Sequence, residues 1–235
     1  LAAEKKIGEN QESSITLETN TTGTKNVFEA AKMWNCKVVY ASTSDVYGMS
    51  PNLPLKEDGD LLLGPSMIKR WSYAVSKLYG EQLAFAYFYD HKVPIVTLRY
   101  FGGFSHRSHF SWSGGHLPIF IKAILEDKDV TIHGDGSQTR SMSFVEDIVE
   151  GTYQAMLKEK AVGEIINIGN DEELSVLDTA KLIHELAETG KELKIKYTPM
   201  SKIFGQYKDI MRRVPDLTKS REILNYSPKY KLKDA

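Results

Sequence analysis

Tyr73 and Lys77 stand four residues apart in the stretch Arg70-Trp71-Ser72-Tyr73-Ala74-Val75-Ser76-Lys77. On a helix, residues so spaced share one face. A lysine ammonium near a phenol favours the phenolate and lowers its pKa. A tyrosine acidified in this way can take a proton from an alcohol and later return it. The same spacing also suits a core aromatic and a solvated cation on an amphipathic helix. The neighbouring sequence separates the two readings. Upstream lies Lys37-Val38-Val39-Tyr40-Ala41-Ser42-Thr43-Ser44-Asp45-Val46-Tyr47-Gly48. Its apolar first part reads as a buried strand of a parallel sheet. Ligands of open parallel sheets sit beyond the carboxyl ends of the strands. Thr43, Ser44 and Asp45 are therefore candidate catalytic residues, the alternative being a serine-rich turn with an Asx cap.

The elements that must hold these side chains alternate between helix and strand. Residues 15–34 read as a helix, with Val27, Ala30, Ala31 and Trp34 at helical spacing, and 37–41 as a strand. Residues 49–69 form a Pro-, Gly- and Asp-rich loop, long enough to suggest a functional role. A second long helix over 71–89 offers Leu78, Leu83, Phe85 and Ala86 for burial, and a strand over 94–101 follows. Downstream, helices are expected over 117–125, 145–157, 176–188 and 217–224, and strands over 130–133, 164–168 and 193–197. Ser175 is the expected N-cap of the 176–188 helix.

Net charge is −1, from 30 basic and 31 acidic residues, which gives no reason to expect nucleic acid or an anionic membrane as partner. The single cysteine, Cys36, cannot form an internal disulfide and fits a reducing, cytoplasmic location. No apolar run approaches the roughly 20 residues that span a bilayer.

Several motifs in order carry a family resemblance. They are Leu1-Ala2-Ala3, Asn20-Thr21-Thr22-Gly23-Thr24, Ser42 to Gly48, Tyr73 to Lys77, Gly134-Asp135-Gly136-Ser137-Gln138-Thr139-Arg140, and Arg213-Val214-Pro215-Asp216. With these the chain resembles the extended short-chain dehydrogenase/reductase family, the NAD-dependent nucleotide-sugar epimerases and dehydratases, and in particular is UDP-glucose 4-epimerase-like. The resemblance implies an α/β fold, a Rossmann-like doubly wound parallel sheet with a smaller C-terminal substrate-binding lobe. Residues 1–102 would be the later part of the NAD-binding domain and 103–235 mainly the substrate lobe, with about 143–170 returning to the sheet. The family's G-x-x-G-x-x-G phosphate turn is expected upstream of Leu1, so the sequence reads as a fragment.

The resemblance also implies roles. Tyr73 would exchange a proton with the sugar hydroxyl, Lys77 would lower its pKa and bond the nicotinamide ribose, and Thr43 would share a hydrogen bond with the substrate oxygen. Leu1, Ala2, Ala3, Asn20, Ser42, Tyr100 and Phe101 would join Tyr73 and Lys77 around the NAD cofactor. Arg107, Arg140 and Arg213 would bind the substrate diphosphate, since guanidinium groups suit phosphate, and His116 would line the substrate loop. The family's dimers imply a homodimer through helices 16–34 and 71–89.

The resemblance leaves the reaction to be argued from departures. Gly102 replaces an asparagine that often touches the diphosphate, and Ser105-His106 replaces Gly-Pro before Arg107. The spacing of His106, His109 and His116 is not a recognised metal-ligand pattern. Dehydratases carry Thr-Asp-Glu and uronate decarboxylases Thr-Ser-Glu where this chain has Thr43-Ser44-Asp45. The leading expectation is an NAD-dependent 4-epimerase acting on a UDP-sugar through a 4-keto intermediate. UDP-glucuronate decarboxylase is the second expectation and 4,6-dehydratase the third. A non-catalytic NAD- or nucleotide-sugar-binding protein is the reading from another class, and the presence of Thr43, Tyr73 and Lys77 together argues against it.

Overall fold

The computed structural model describes residues 3–5, 12–110, 115–200 and 210–235. Leu1 and Ala2, expected at the cofactor, lie outside the described residues. Strands β1 (Val38–Thr43), β2 (Ile95–Tyr100) and β7 (Ile165–Ile168) form a parallel sheet in the order β1-β2-β7. Thr43 is in register with Tyr100, and Tyr100 with Ile168, so all three strands end at one edge.

Side chains alternate across this sheet. Ile95 joins Phe28, Ala31, Tyr40, Ala84, Tyr87 and Val93, packed by the helices α1 (Ser13–Trp34) and α2 (Trp71–His91). Its neighbour Val96 enters a different cluster with Leu98, Ala155, Ile166, Ile168, Leu224 and Tyr226, covered by α4 (Val145–Leu157) and α6 (Thr218–Leu224). The period-two pattern of a strand buried on both faces demands this.

The second half of the chain adds a lobe. Strands β4 (Val130–His133) and β9 (Ile195–Thr198) pair in parallel, flanked by α3 (His116–Leu125) and α5 (Val176–Ala187). Ser175 caps α5 as expected, accepting a hydrogen bond from Asp178 N at 2.9 Å. Four very short strands escape recognition in the sequence: β3 (Gly103–Phe104) pairs with β6 (Ser143–Phe144), and β5 (Thr139–Ser141) with β8 (Glu173–Ser175). Segments of two or three residues carry no detectable periodicity.

The helices depart from expectation in their buried faces. On α1 the core residues are Phe28 and Ala31, while Val27 is 55% and Trp34 is 72% exposed. On α2, Ala74, Ala84 and Tyr87 are buried, whereas Leu78, Leu83 and Phe85 are half-buried and Ala86 is exposed. The α1–α2 contact selects small residues and interlocking rings, with Phe28 edge-on to Tyr40 at 5.7 Å between centroids. Ala31, Leu78 and Leu83 meet the expectation in full or in part, since the two leucines pack against core clusters. Helix α1 begins at Ser13, two residues before the expected start. Among the described residues no helix is long and apolar enough to cross a membrane.

Candidate active site

Tyr40 determines how closely α2 approaches β1. Its hydroxyl donates to the Lys77 carbonyl at 3.2 Å, and a side chain at Gly80 would overlap it. Only a glycine at that point lets the helix settle onto the strand. Lys77 can then reach across, and its Nζ donates to the Ala41 carbonyl at 2.8 Å. Tyr73, one turn earlier, lines the same cleft as Thr43, whose hydroxyl favours the phenolate. Thr43 in turn accepts from Asp45 N at 3.2 Å, which starts the 3-10 turn Ser44–Tyr47.

Asp45 is buried and ion-paired with two arginines: Arg70 Nη2 at 2.9 Å and Arg213 Nη1. Arg213 is brought there by the 49–69 loop, which is ordered by its own contacts. Leu55 N donates to Val214 O at 2.8 Å and Asp216 N donates to Leu55 O at 2.9 Å. Asn167, at the end of β7, donates through Nδ2 to the carbonyls of Leu55 at 2.9 Å and Asp216 at 3.1 Å. Tyr47 Oη closes the network on Asn167 Oδ1 at 2.7 Å.

The electrostatics revise the simplest view of the Tyr–Lys pair. Burial raises the Tyr73 phenol above its usual range, with the negative charge of Asp45 adding to it. The Thr43 hydroxyl and Arg213 oppose that shift without overcoming it. The Lys77 ammonium lies 6.0 Å from the Tyr73 ring centroid and is tied to Ala41. Burial, together with the charge of Lys5, lowers the Lys77 pKa to about 8. Burial would raise the Asp45 carboxyl, but Arg213, Arg70 and Lys5 together hold it well below the usual carboxylate range.

Thr43, Ser44, Asp45, Tyr73 and Lys77 all line one cleft of about 370 Å³ with Ala3, Lys5, Ser42, Tyr100, Phe101, Gly102 and Arg213. A second cleft of about 380 Å³ runs between α1 and β1, and shares Ala3, Ala41 and Lys77 with the first. The first cleft lies at the carboxyl ends of β1 and β2, where ligands meet an open α/β sheet. Its donor set fits NAD, with Lys77 and Tyr73 as the groups to hold a ribose and Phe101 and Tyr100 as its walls.

Some expected ligands face elsewhere. Ser42 lines the cleft, but its hydroxyl donates to Glu81, which Arg99 also grips at 3.0 and 2.7 Å. Asn20 is buried and positions backbone: it accepts from Glu4 N at 2.8 Å and donates to Glu4 O at 3.0 Å and to Ser76 Oγ at 2.9 Å. Tyr100 Oη hydrogen-bonds Thr152 Oγ1 at 2.8 Å. Arg107 is exposed on the Ser105–Ser108 turn, and Arg140 Nη1 donates to the carbonyls of Thr139 at 2.7 Å and Ile210 at 2.8 Å. Neither lines the cleft, so of the three expected phosphate-binding arginines only Arg213 reaches it. His116 begins α3 and packs edge-on to Phe120 at 5.3 Å, outside the cleft.

Gly102 explains itself by packing. A Cβ there would lie 2.7 Å from the Ser141 carbonyl oxygen and 2.9 Å from Met142 Sδ, so no asparagine fits. Sequence reasoning missed Arg70 and Lys5. Arg70 carried a signal, since it lies one helical turn before Tyr73. Lys5 carried none, because its segment is placed by a contact with Asn20, 16 residues from Glu4.

Comparison with known proteins places this geometry in context. The NAD dependent epimerase/dehydratase family matches residues 1–169. The UDP-N-acetyl-alpha-D-glucosaminuronate decarboxylase of Bacillus cytotoxicus is 40% identical over 97% of this chain and 70% of its own length. UDP-glucuronic acid decarboxylase 1 of Danio rerio is 33% identical over 91% of this chain, which spans about half of that relative, 48%. Among solved structures, the UDP-glucuronic acid 4-epimerase of Bacillus cereus, in complex with UDP-glucuronic acid and NAD, superposes with a TM-score of 0.85. It is 31% identical over 100% of this chain and 70% of its own.

Proposed function

We propose that this chain, which belongs to the NAD dependent epimerase/dehydratase family, oxidises a UDP-uronate at C4 and releases its carboxyl group as carbon dioxide. The observation that carries the reading is the buried Asp45, held ionised by Arg70 and Arg213 in the cleft that Thr43 and Tyr73 also line. One carboxylate is there matched against two guanidinium groups and the ammonium of Lys5, so the cleft carries surplus positive charge. Such a site favours an anionic substrate. Similarity to two uronate decarboxylases supports the same choice.

NAD, when bound, accepts hydride from C4. The residues of this chain manage the proton and the oxygen. Thr43 and Tyr73 hydrogen-bond the 4-hydroxyl, and Tyr73 takes its proton. The phenol is raised by burial, so its deprotonation depends on positive charge close by, which Lys77 supplies in part. Once C4 is a ketone, the substrate carboxyl is that of a β-keto acid. The C5–C6 bond breaks, carbon dioxide leaves, the electron pair passes into an enolate whose oxygen stays on Tyr73 and Thr43, and a proton taken up at C5 from water completes the 4-keto pentose. Arg213, fixed at the cleft wall by Asp45, offers a forked donor to a carboxylate or phosphate.

A second reading, epimerisation at C4 without loss of carbon, is supported by similarity to the Bacillus cereus 4-epimerase. The test is turnover of UDP-glucuronate and UDP-N-acetylglucosaminuronate labelled with ¹³C at C6, each with NAD. Labelled bicarbonate and a decarboxylated nucleotide sugar are expected. An isomer of unchanged mass would replace decarboxylation with epimerisation, and turnover of UDP-glucose alone would overturn the uronate assignment.

A further inference from the structure

Lys5 has an unusual place for a residue so early in the described chain. It is exposed as a residue, yet its ammonium end lies 5.3 Å from the centroid of the Tyr73 ring and lines the cleft. Its segment is held in place by a two-way clamp, in which Glu4 N donates to Asn20 Oδ1 at 2.8 Å and Asn20 Nδ2 donates to Glu4 O at 3.0 Å. Asn20 is itself anchored on Ser76 of α2, at 2.9 Å, so the clamp ties Lys5 to the helix that carries Tyr73 and Lys77.

The charges around it explain why this placement is costly in isolation. Burial of the ammonium lowers its pKa, Asp45 opposes this, and Arg213 and Arg70 push it down further. Asp45 is already engaged by both arginines. Among the described residues the Lys5 ammonium donates to no carboxylate, and the Tyr73 ring is its aromatic neighbour. The like charges of Arg213 and Arg70 act on this ammonium, and a carboxylate brought by a ligand would offset them. Asn20, buried and fully bonded, works to keep it there.

We propose that Lys5 is a specificity-determining residue, whose ammonium receives the carboxylate of the substrate's uronate ring. The inference rests on the UDP-uronate reading above. A sugar that presents its C4 hydroxyl to Tyr73 carries its C6 carboxylate within a few ångströms of that hydroxyl. The cation next to the Tyr73 ring is then the one suited to meet it. Lys5 would sort uronates from neutral hexoses, while Tyr73, Thr43 and Lys77 handle the proton.

The test is equilibrium binding to the NAD-loaded whole protein of UDP-glucuronate, UDP-glucose and UDP, compared between wild type and the variants Lys5→Met and Lys5→Arg. Lys5→Met is expected to weaken UDP-glucuronate about 10- to 100-fold while leaving UDP and UDP-glucose within about twofold. Lys5→Arg is expected to keep most of the preference. Equal weakening of all three ligands, or weaker NAD binding with uronate preference intact, overturns the assignment to the carboxylate. If wild type itself shows no preference for UDP-glucuronate over UDP-glucose, the uronate reading fails first. If that preference survives in Lys5→Met, the reading stands and the Lys5 inference fails alone. Asn20→Ala gives a second readout: it is expected to erode the uronate preference with Lys5 still present.

Discussion

Around the cleft Asp45, Arg70, Lys77, Glu81 and Arg99 are all buried, whereas the centre of the second lobe is filled by Phe120, Ile124, Val130, Ile132, Val176 and Ala180. The lobe is held by burial of apolar area, at roughly 25 cal/mol per Å². The cleft is held by charges that must be taken out of water and then matched, a cost their mutual attraction offsets only when every partner is present. The two regions should therefore fail differently. Damage to the lobe should appear as lost stability with chemistry intact, and damage to the cleft as lost chemistry with stability altered by the charge left behind.

The strongest test of that contrast is Tyr73→Phe. Removing one hydroxyl from a ring that stays buried should leave the fold intact and lower turnover by about 10²- to 10⁴-fold, the range for loss of a general acid or base. Steady-state turnover alongside a denaturant titration measures both. Near-normal turnover would remove Tyr73 from the chemistry.

The reciprocal change is Ile132→Ala in β4, at a fully buried position. It should cost about 2–5 kcal/mol of stability, with turnover per folded molecule close to wild type. A fall in turnover without a fall in stability would show that the lobe's core shapes the site.

The smallest expected effect is a pH dependence. Lys77 has a folded pKa of about 8 against 10.5 unfolded. Between those values the unfolded chain binds more protons, so stability should rise with pH across that window. The Lys77 part of the rise should be roughly 1–3 kcal/mol from pH 8 to 10, read from denaturant midpoints, and Lys77→Met should reduce the total rise, leaving the part that comes from the lowered Lys5. Asp45, depressed in the fold, works at the other end: its contribution is complete above about pH 4 and is lost as the solution becomes more acidic.

Much of this arrangement could be read from the residues themselves. The helix carrying Tyr73 and Lys77, the strand ending at Thr43 and the cap at Ser175 follow from periodicity and local hydrogen bonding, which are properties of neighbouring residues. On α1 the expected Ala31 is buried, but Val27 and Trp34 are not, because the interface rewards the fit of Ala31 and Phe28 over apolar size. Motif position suggested roles for Arg107 and Arg140, and neither side chain lines the cleft that holds Tyr73. Lys5, Arg70 and the Leu55–Asn167–Asp216 contacts join segments far apart in sequence, and no local pattern announces them.

The pairing of Asp45 with Arg213 spans 168 residues. A ribosome making this protein releases the carboxylate long before its second guanidinium exists. Until the segment around Val214 docks on Leu55, the nascent sheet holds Asp45 with Arg70 alone, and the pocket wall is open. The full set of charges around Asp45 therefore requires the chain to be made through Arg213.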